Sequence, residues 1–174
     1  MVSLLLPIIY LAFISLGLPD GLLGAAWPNM YPQLGVPIFY AGIVSMVIAA
    51  GTVVSSLLSE RLHVRFGAGR VTAMSVLLTA GALFGFSLSG SFGLLCLFAM
   101  PYGLGAGSVD AVLNHYVALH YKARHMSWLH CMWGVGCSIG PAVMSRAILH
   151  GSWNAGYRTV AIVQAGLTAV LLLS

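Results

Sequence analysis

The chain consists of long apolar runs separated by short turns that are rich in charge, proline or glycine. The runs lie near residues 2–26, 38–58, 71–88, 92–120, 126–149 and 157–174. A bilayer core about 30 Å thick is crossed by about 20 residues of α-helix. We therefore expect an all-α integral membrane protein with six transmembrane helices, and its 174 residues leave no room for a separate soluble domain.

The composition excludes several functional classes. Only 6% of the residues are charged, whereas a soluble surface carries roughly a quarter to a third charged side chains. Seven basic residues against three acidic ones are too few for a phosphate-binding face, so no nucleic-acid partner is predicted. The cysteines Cys96, Cys131 and Cys137 lie in apolar runs without metal-ligand spacing, which favours buried thiols and no metal site.

Motifs for nucleotide or hydrolytic chemistry are missing from the sequence. It contains no G-x-x-x-x-G-K-[ST], H-E-x-x-H or G-x-S-x-G pattern, which are the signatures of a phosphate-binding loop, a zinc protease and a serine hydrolase. The chain is therefore predicted not to be an enzyme and to need no cofactor.

Basic residues are concentrated in two of the turns. Arg61, Arg65 and Arg70 lie between the second and third runs, and Lys122 and Arg124 lie between the fourth and fifth. Cytoplasmic loops of membrane proteins carry an excess of Lys and Arg. This distribution predicts a multi-pass protein of the cell membrane with both termini in the cytoplasm.

Two carboxylates lie within apolar runs, where a charged residue costs about 2.5–3.5 kcal/mol on insertion scales. Asp110 lies roughly 15 Å of helix rise from the turn at Lys122, near the membrane midplane. Asn114 follows one turn later and shares its helix face. We expect the pair to bind protons and substrate, and the alternative is a hydrogen bond that only joins two helices.

Asp20 lies in the sequence Gly17-Leu-Pro-Asp-Gly21, where proline removes a backbone donor and glycine loosens the helix. Broken helices are tolerated at membrane depth where they line a cavity, so Asp20 is a second candidate for proton or substrate binding. The alternative is a kinked helix end at the outer interface.

Histidines occur in the fourth and fifth runs. His130 is a candidate for substrate contact or proton relay, or else a buried neutral imidazole bonded to a carbonyl. His115, His120 and His125 lie near the basic turn, where an interface position explains them.

Glycines recur four residues apart at Gly103 and Gly107, and again at Gly136 and Gly140. Such pairs allow helix backbones to approach closely in membranes. We expect them to be packing sites without substrate contact.

These residues together resemble a known family. The stretch Gly103-Leu-Gly-Ala-Gly-Ser-Val-Asp110, with Asn114, and the later Gly136-Cys-Ser-Ile-Gly140-Pro141 resemble spans four and five of the major facilitator superfamily. The nearest likeness is to the fucose:proton symporter-like branch, in which a span-four acid precedes an Asn by four residues. The resemblance implies the amino-terminal six-helix half of a twelve-helix fold, built from two inverted three-helix repeats.

The superfamily carries a G-x-x-x-D-R-x-G-R-like turn that helps to latch the inner gate. The corresponding residues here are Glu60, Arg61, Arg65 and Arg70, with Ser56 in place of the leading glycine and Glu60 in place of the aspartate. The resemblance implies a weakened latch. The alternative is a turn that only fixes orientation.

The resemblance implies proton-coupled uptake of a sugar or other small polar solute by alternating access, with a second six-helix half supplied in tandem or in trans. Efflux of an amphipathic compound is the alternative, although Ala99 stands where drug:proton antiporters carry an arginine and the motif after Pro141 departs from theirs. A third possibility is a transport-inactive truncated half, since the last run stops at Ser174 without a basic flank.

Overall fold

A computed structural model describes residues 2–173, and the side chains of residues 5–172. The described chain folds into seven α-helices: α1 (Val2–Asp20), α2 (Leu22–Gln33), α3 (Tyr40–Phe66), α4 (Ala68–Leu88), α5 (Phe92–His120), α6 (Ala123–His150) and α7 (Trp153–Leu173). The all-α prediction is confirmed for this range.

Five segments are long and apolar enough to cross a membrane: Leu5–Gln33, Tyr40–Phe66, Ala68–Leu88, Phe92–His120 and Trp153–Leu172. The first of them joins α1 and α2. The helix α6 has a comparable length but is not among the five, because polar residues such as Arg124, His130 and Arg146 lower its hydropathy. The fifth predicted span, residues 126–149, coincides with α6 and therefore stays a prediction.

The chain breaks its first helical segment beside an acidic residue. Asp20 is the last residue of α1, and Gly21 separates it from α2. Pro19 contributes no backbone N–H to the helix. The break places the carboxylate at a helix end, where its side chain is exposed.

The turn predicted from Trp27 to Pro37 is wrong in its first part, because α2 continues to Gln33. Leu22, Ala26 and Met30 are spaced four apart and are fully buried. This apolar stripe holds the segment in a helix despite its two prolines. The remaining connection is short, and the indole N–H of Trp27 donates to the carbonyl of Ile38 at 2.6 Å.

The turn predicted from Ser59 to Arg70 is also too long. The helix α3 continues to Phe66 and α4 begins at Ala68, so that only Gly67 lies between them. Gly67 has a φ of 79°, a left-handed conformation that glycine adopts without a steric penalty. The basic residues of this region therefore lie on helix ends.

Backbone contact joins α1 to α6. A Cβ atom added to Gly17 would collide with the carbonyl oxygen of Trp133, and one added to Gly136 would collide with that of Ile14. Gly140 meets the carbonyl of Leu18 in the same way, and Gly21 lies against the ring of Pro141. Because glycine has no side chain, the two helices lie closer than other residues would allow.

A second pair, α3 and α5, is joined by the same device. A Cβ atom on Gly103 would collide with the carbonyl of Ile48, and one on Gly107 would lie 2.5 Å from the carbonyl of Thr52. From the other side, a Cβ on Gly51 would lie 3.0 Å from the carbonyl of Met100.

The helices α4 and α7 pack behind these two pairs. Gln164 of α7 is only 1% exposed, and its amide donates to the carbonyl of Ser15 in α1 at 2.8 Å. The hydroxyl of Thr79 in α4 lies 2.9 Å from the Gln164 side-chain oxygen. This buried amide therefore ties three helices together.

Candidate functional site

A cleft lies between α1, α2, α3, α5 and α6, and side chains of α4 and α7 also line it. It contains a cavity of about 620 Å³ and a second of about 380 Å³. The two cavities share the side chains of Asp20, Ile48, Thr52, Tyr102 and Trp133. They therefore form one continuous cleft along the glycine-joined helix pairs.

Asp20 is held by two donors from other helices. The hydroxyl of Tyr102 in α5 donates to Oδ1 at 2.9 Å, and the indole N–H of Trp133 in α6 donates to Oδ2 at 2.9 Å. Each carboxylate oxygen therefore accepts a hydrogen bond from a neutral side chain. The carboxylate is fixed in position where the two cavities meet.

Asp110 has a different environment. The amide of Asn114 donates to its Oδ1 at 3.0 Å and to its backbone carbonyl at 2.9 Å. No other hydrogen bond to the carboxylate is made by the described residues. The Asp110 side chain is exposed and lines the smaller cavity, so one of its oxygens remains open to the cleft.

His130 lines the same cavity as Asp20 and Asp110. Its ring meets Phe13 edge to face, with centroids 6.1 Å apart, and its side chain is exposed. The structure thus brings three of the four predicted site residues together in one cavity. The fourth, Asn114, does not line that cavity but is hydrogen-bonded to Asp110, which does.

Three cleft residues were missed by sequence reasoning. Tyr102 and Trp133 hold Asp20, and the buried Tyr157 of α7 lines the larger cavity with a hydroxyl that has no hydrogen-bond partner among the described residues. Tyrosine and tryptophan within an apolar helix usually find a partner for their polar tip. The polar tips of tyrosine and tryptophan within apolar runs were therefore the sequence signal that could have identified these residues.

The cleft carries acidic groups without fixed positive charge. Its described lining contains Asp20, Asp110 and His130 but neither lysine nor arginine. Arg146 is exposed on α6 and does not line the cleft. An anion in the cleft would meet no lysine or arginine in this lining.

The residues of the predicted inner-gate turn lie on two helices. Glu60, Arg61 and Arg65 are exposed on the last turns of α3, and Arg70 is exposed on the first turn of α4. The Arg65 guanidinium lies 5.4 Å from the centre of the Phe66 ring. No ion pair joins Glu60 to a described residue.

Metal coordination finds no support in the part of the chain that the structure describes. There, no group of three or more His, Cys, Asp or Glu side chains is arranged to hold a metal ion.

Comparison with known proteins decides the family. A family model described as Major Facilitator Superfamily matches residues 9–174. This chain belongs to the major facilitator superfamily. A protein of Sinorhizobium fredii named "uncharacterized transporter y4wD" is 26% identical over 130 residues, which are 71% of this chain and 34% of that protein.

The chain spans about a third of the length of that relative. Membership of the superfamily, together with the five apolar helical segments, makes it a multi-pass membrane protein.

Proposed function

We propose that this superfamily member is one six-helix half of a secondary transporter that couples proton movement to uptake of a small polar solute, with a sugar as the leading substrate class. The observation that carries the proposal is the placement of Asp20, Asp110 and His130 on one cleft within apolar helices. Ionisable residues inside a membrane are costly and mark substrate or proton pathways.

The exposure of the cleft supports a second half. Asp20, Asp110 and His130 are exposed on this face, although they lie among helices suited to lipid. A second six-helix half covering the cleft would remove them from lipid and create an enclosed site between two units.

The helix pairing supports the inverted repeat. The first repeat unit consists of α1 with α2 as one span, followed by α3 and α4, and the second consists of α5, α6 and α7. In this division α1 corresponds to α5 and α3 corresponds to α6. The contact of α1 with α6 therefore corresponds to the contact of α5 with α3. Both pairs are joined by glycine against backbone. The orientation with Arg61, Arg65, Arg70, Lys122 and Arg124 in the cytoplasm, and both termini there, belongs to this proposal.

Asp110 is the better proton carrier of the two acids. Both oxygens of Asp20 already accept hydrogen bonds, whereas Asp110 has one donor and faces the cavity. Burial within a completed transporter disfavours the charged form of a carboxyl group. Asp110 can therefore gain and lose a proton as the cleft opens to either side.

The cleft also offers groups that suit a hydroxylated solute. Carboxylate oxygens accept hydroxyl protons, and the amide of Asn114, which holds Asp110, is a hydrogen-bond donor beside the cavity. The exposed part of Trp133 supplies an aromatic surface beside Asp20. The solute lies among these groups without needing a counter-charge.

Efflux of an amphipathic compound is the second candidate. The observation in its favour is the apolar part of the cleft walls. The larger cavity is lined by Leu23, Ile48, Leu83 and Phe86 as well as by its polar side chains. An apolar ring system would fill that part of the cleft. Assays of uptake and efflux, each with hydroxylated and amphipathic solutes side by side, distinguish the two candidates.

The deciding experiment uses proteoliposomes containing the chain assembled with its second half. Asp110→Asn should abolish proton-driven accumulation but retain substrate exchange, because the neutral side chain imitates the protonated carboxyl. Accumulation at the wild-type level with an unchanged pH profile would transfer the role to Asp20. Saturable transport by the 174-residue chain alone would overturn the proposal of a half, and its absence in every assembly would favour an inactive fragment.

A further inference from the structure

A separate cavity of about 340 Å³ lies between α3 and α5, towards the end of the molecule where the arginines cluster. It is lined by Ser59, Glu60, His63, Ala111, Val112 and His115. None of these side chains lines the central cleft. The cavity contains three titratable groups that the proposed mechanism does not yet use.

The three groups line one cavity from two helices, and the two histidines are in contact. Glu60 and His63 are three residues apart on α3, so they share a face. The ring of His63 meets that of His115 edge to face, with centroids 5.7 Å apart. Nδ1 of His63 is buried and has no hydrogen-bond partner among the described residues. A buried polar atom of this kind calls for water, an ion or a proton acceptor.

Three hydroxyl groups follow α3 between the central cleft and this cavity, and each donates to a backbone carbonyl. Thr52 lines the cleft beside Asp110, and Ser59 lines the second cavity. Ser56 lies between them and donates to the carbonyl of Gly107 at 3.4 Å. On the facing helix, Asp110 and His115 are separated by about 7.5 Å of helix rise. The cavity has room for bridging water.

We propose that Glu60, His63 and His115 form a second proton-binding site, which passes protons between Asp110 and the water on the arginine side. The carboxylic acid of Asp110 loses its proton, and an imidazole of the pair gains it through hydroxyls and water. The imidazolium then releases the proton to bulk water, and the reverse sequence reloads Asp110. This inference rests on the proposed proton coupling.

The charges around the site suit this role. The titratable groups that face the cavity are Glu60 and His63 from α3 and His115 from α5, while the arginines Arg61, Arg65 and Arg70 do not line it. A proton held in this cavity meets no lysine or arginine in the described lining.

The test compares accumulation with exchange in proteoliposomes of the assembled transporter. The double variant with His63→Gln and His115→Gln should accumulate substrate about tenfold more slowly and show a displaced pH profile, while exchange, which needs no net proton movement, continues. His120→Gln is the matched control, because this histidine lies on α5 outside the cavity. Glu60→Gln provides a second variant on an exposed residue and should also displace the profile.

The outcomes separate this inference from the proposal on which it rests. Absence of proton-driven accumulation in the wild type overturns the proposed coupling and the second site with it. Wild-type accumulation that is unchanged in rate and pH profile by both the double variant and Glu60→Gln overturns the second site alone. Displacement by either variant, with His120→Gln unchanged, supports it.

Discussion

The close contact of α1 with α6 gives a sharp test of the packing. Gly136→Ala adds one methyl group that collides with the carbonyl oxygen of Ile14 and lies 2.9 Å from the backbone nitrogen of Leu18. Because these neighbours are backbone atoms, no side chain can rotate to relieve the overlap. The two helices must move apart.

Gly134→Ala is the matched control. It makes the same substitution on the same helix, but a Cβ there has no neighbour within 4 Å. Both variants gain about the same helix propensity, up to about 1 kcal/mol. The difference between them therefore measures the packing cost, which is about 1–3 kcal/mol for an overpacked site.

Thermal unfolding in one detergent, followed by circular dichroism, measures this difference. At about 2–4 °C per kcal/mol for a chain of this size, Gly136→Ala should unfold roughly 2–12 °C below Gly134→Ala. Equal midpoints for the two variants would refute the close approach of α1 and α6.

Three further predictions concern other parts of the molecule. Tyr157→Phe should raise the free energy of unfolding by about 1 kcal/mol, because it removes a buried hydroxyl that has no partner among the described residues. Tyr102→Phe should lower the free energy of unfolding by a similar amount, because it removes the hydrogen bond to Asp20. Chemical denaturation of both variants checks the opposite signs. Gln164→Leu should destabilise the fold by about 1–2 kcal/mol in the same assay, since interhelical hydrogen bonds in membranes have that upper range, and a neutral result would contradict its joining role. Lys122→Cys, in a background without the native cysteines, should react with an impermeant thiol reagent only after the cells are opened. Labelling in intact cells would contradict the predicted cytoplasmic position of this turn.

The local features of this fold could be predicted from the sequence. Apolar runs of membrane length predicted the helices, and a spacing of four residues predicted that Asp110 and Asn114 share a face of α5, where the structure has their hydrogen bond. Both signals depend on helix geometry within one segment, and they need no knowledge of how segments pack.

The missed features depend on distance along the chain or on competing local signals. Trp133 lies 113 residues from Asp20, and Tyr102 lies 82 residues from it, so nothing local pairs them. Prolines favoured a turn after Trp27, but burial of Leu22 and Met30 kept α2 helical. The basic cluster suggested a long turn, whereas Gly67 alone reverses the chain.

The two glycine-joined helix pairs have a mechanical consequence. Contact between backbones leaves no side-chain rotamers to rearrange. The pair α1 and α6, and the pair α3 and α5, therefore each move as one rigid body. The central cleft runs between these two helix pairs. It is bridged by the hydrogen bond from Tyr102 of α5 to Asp20 of α1. A change in the width of the cleft then requires the two helix pairs to tilt about each other, against this hydrogen bond and the buried cluster that contains Phe13, Val109 and Leu113.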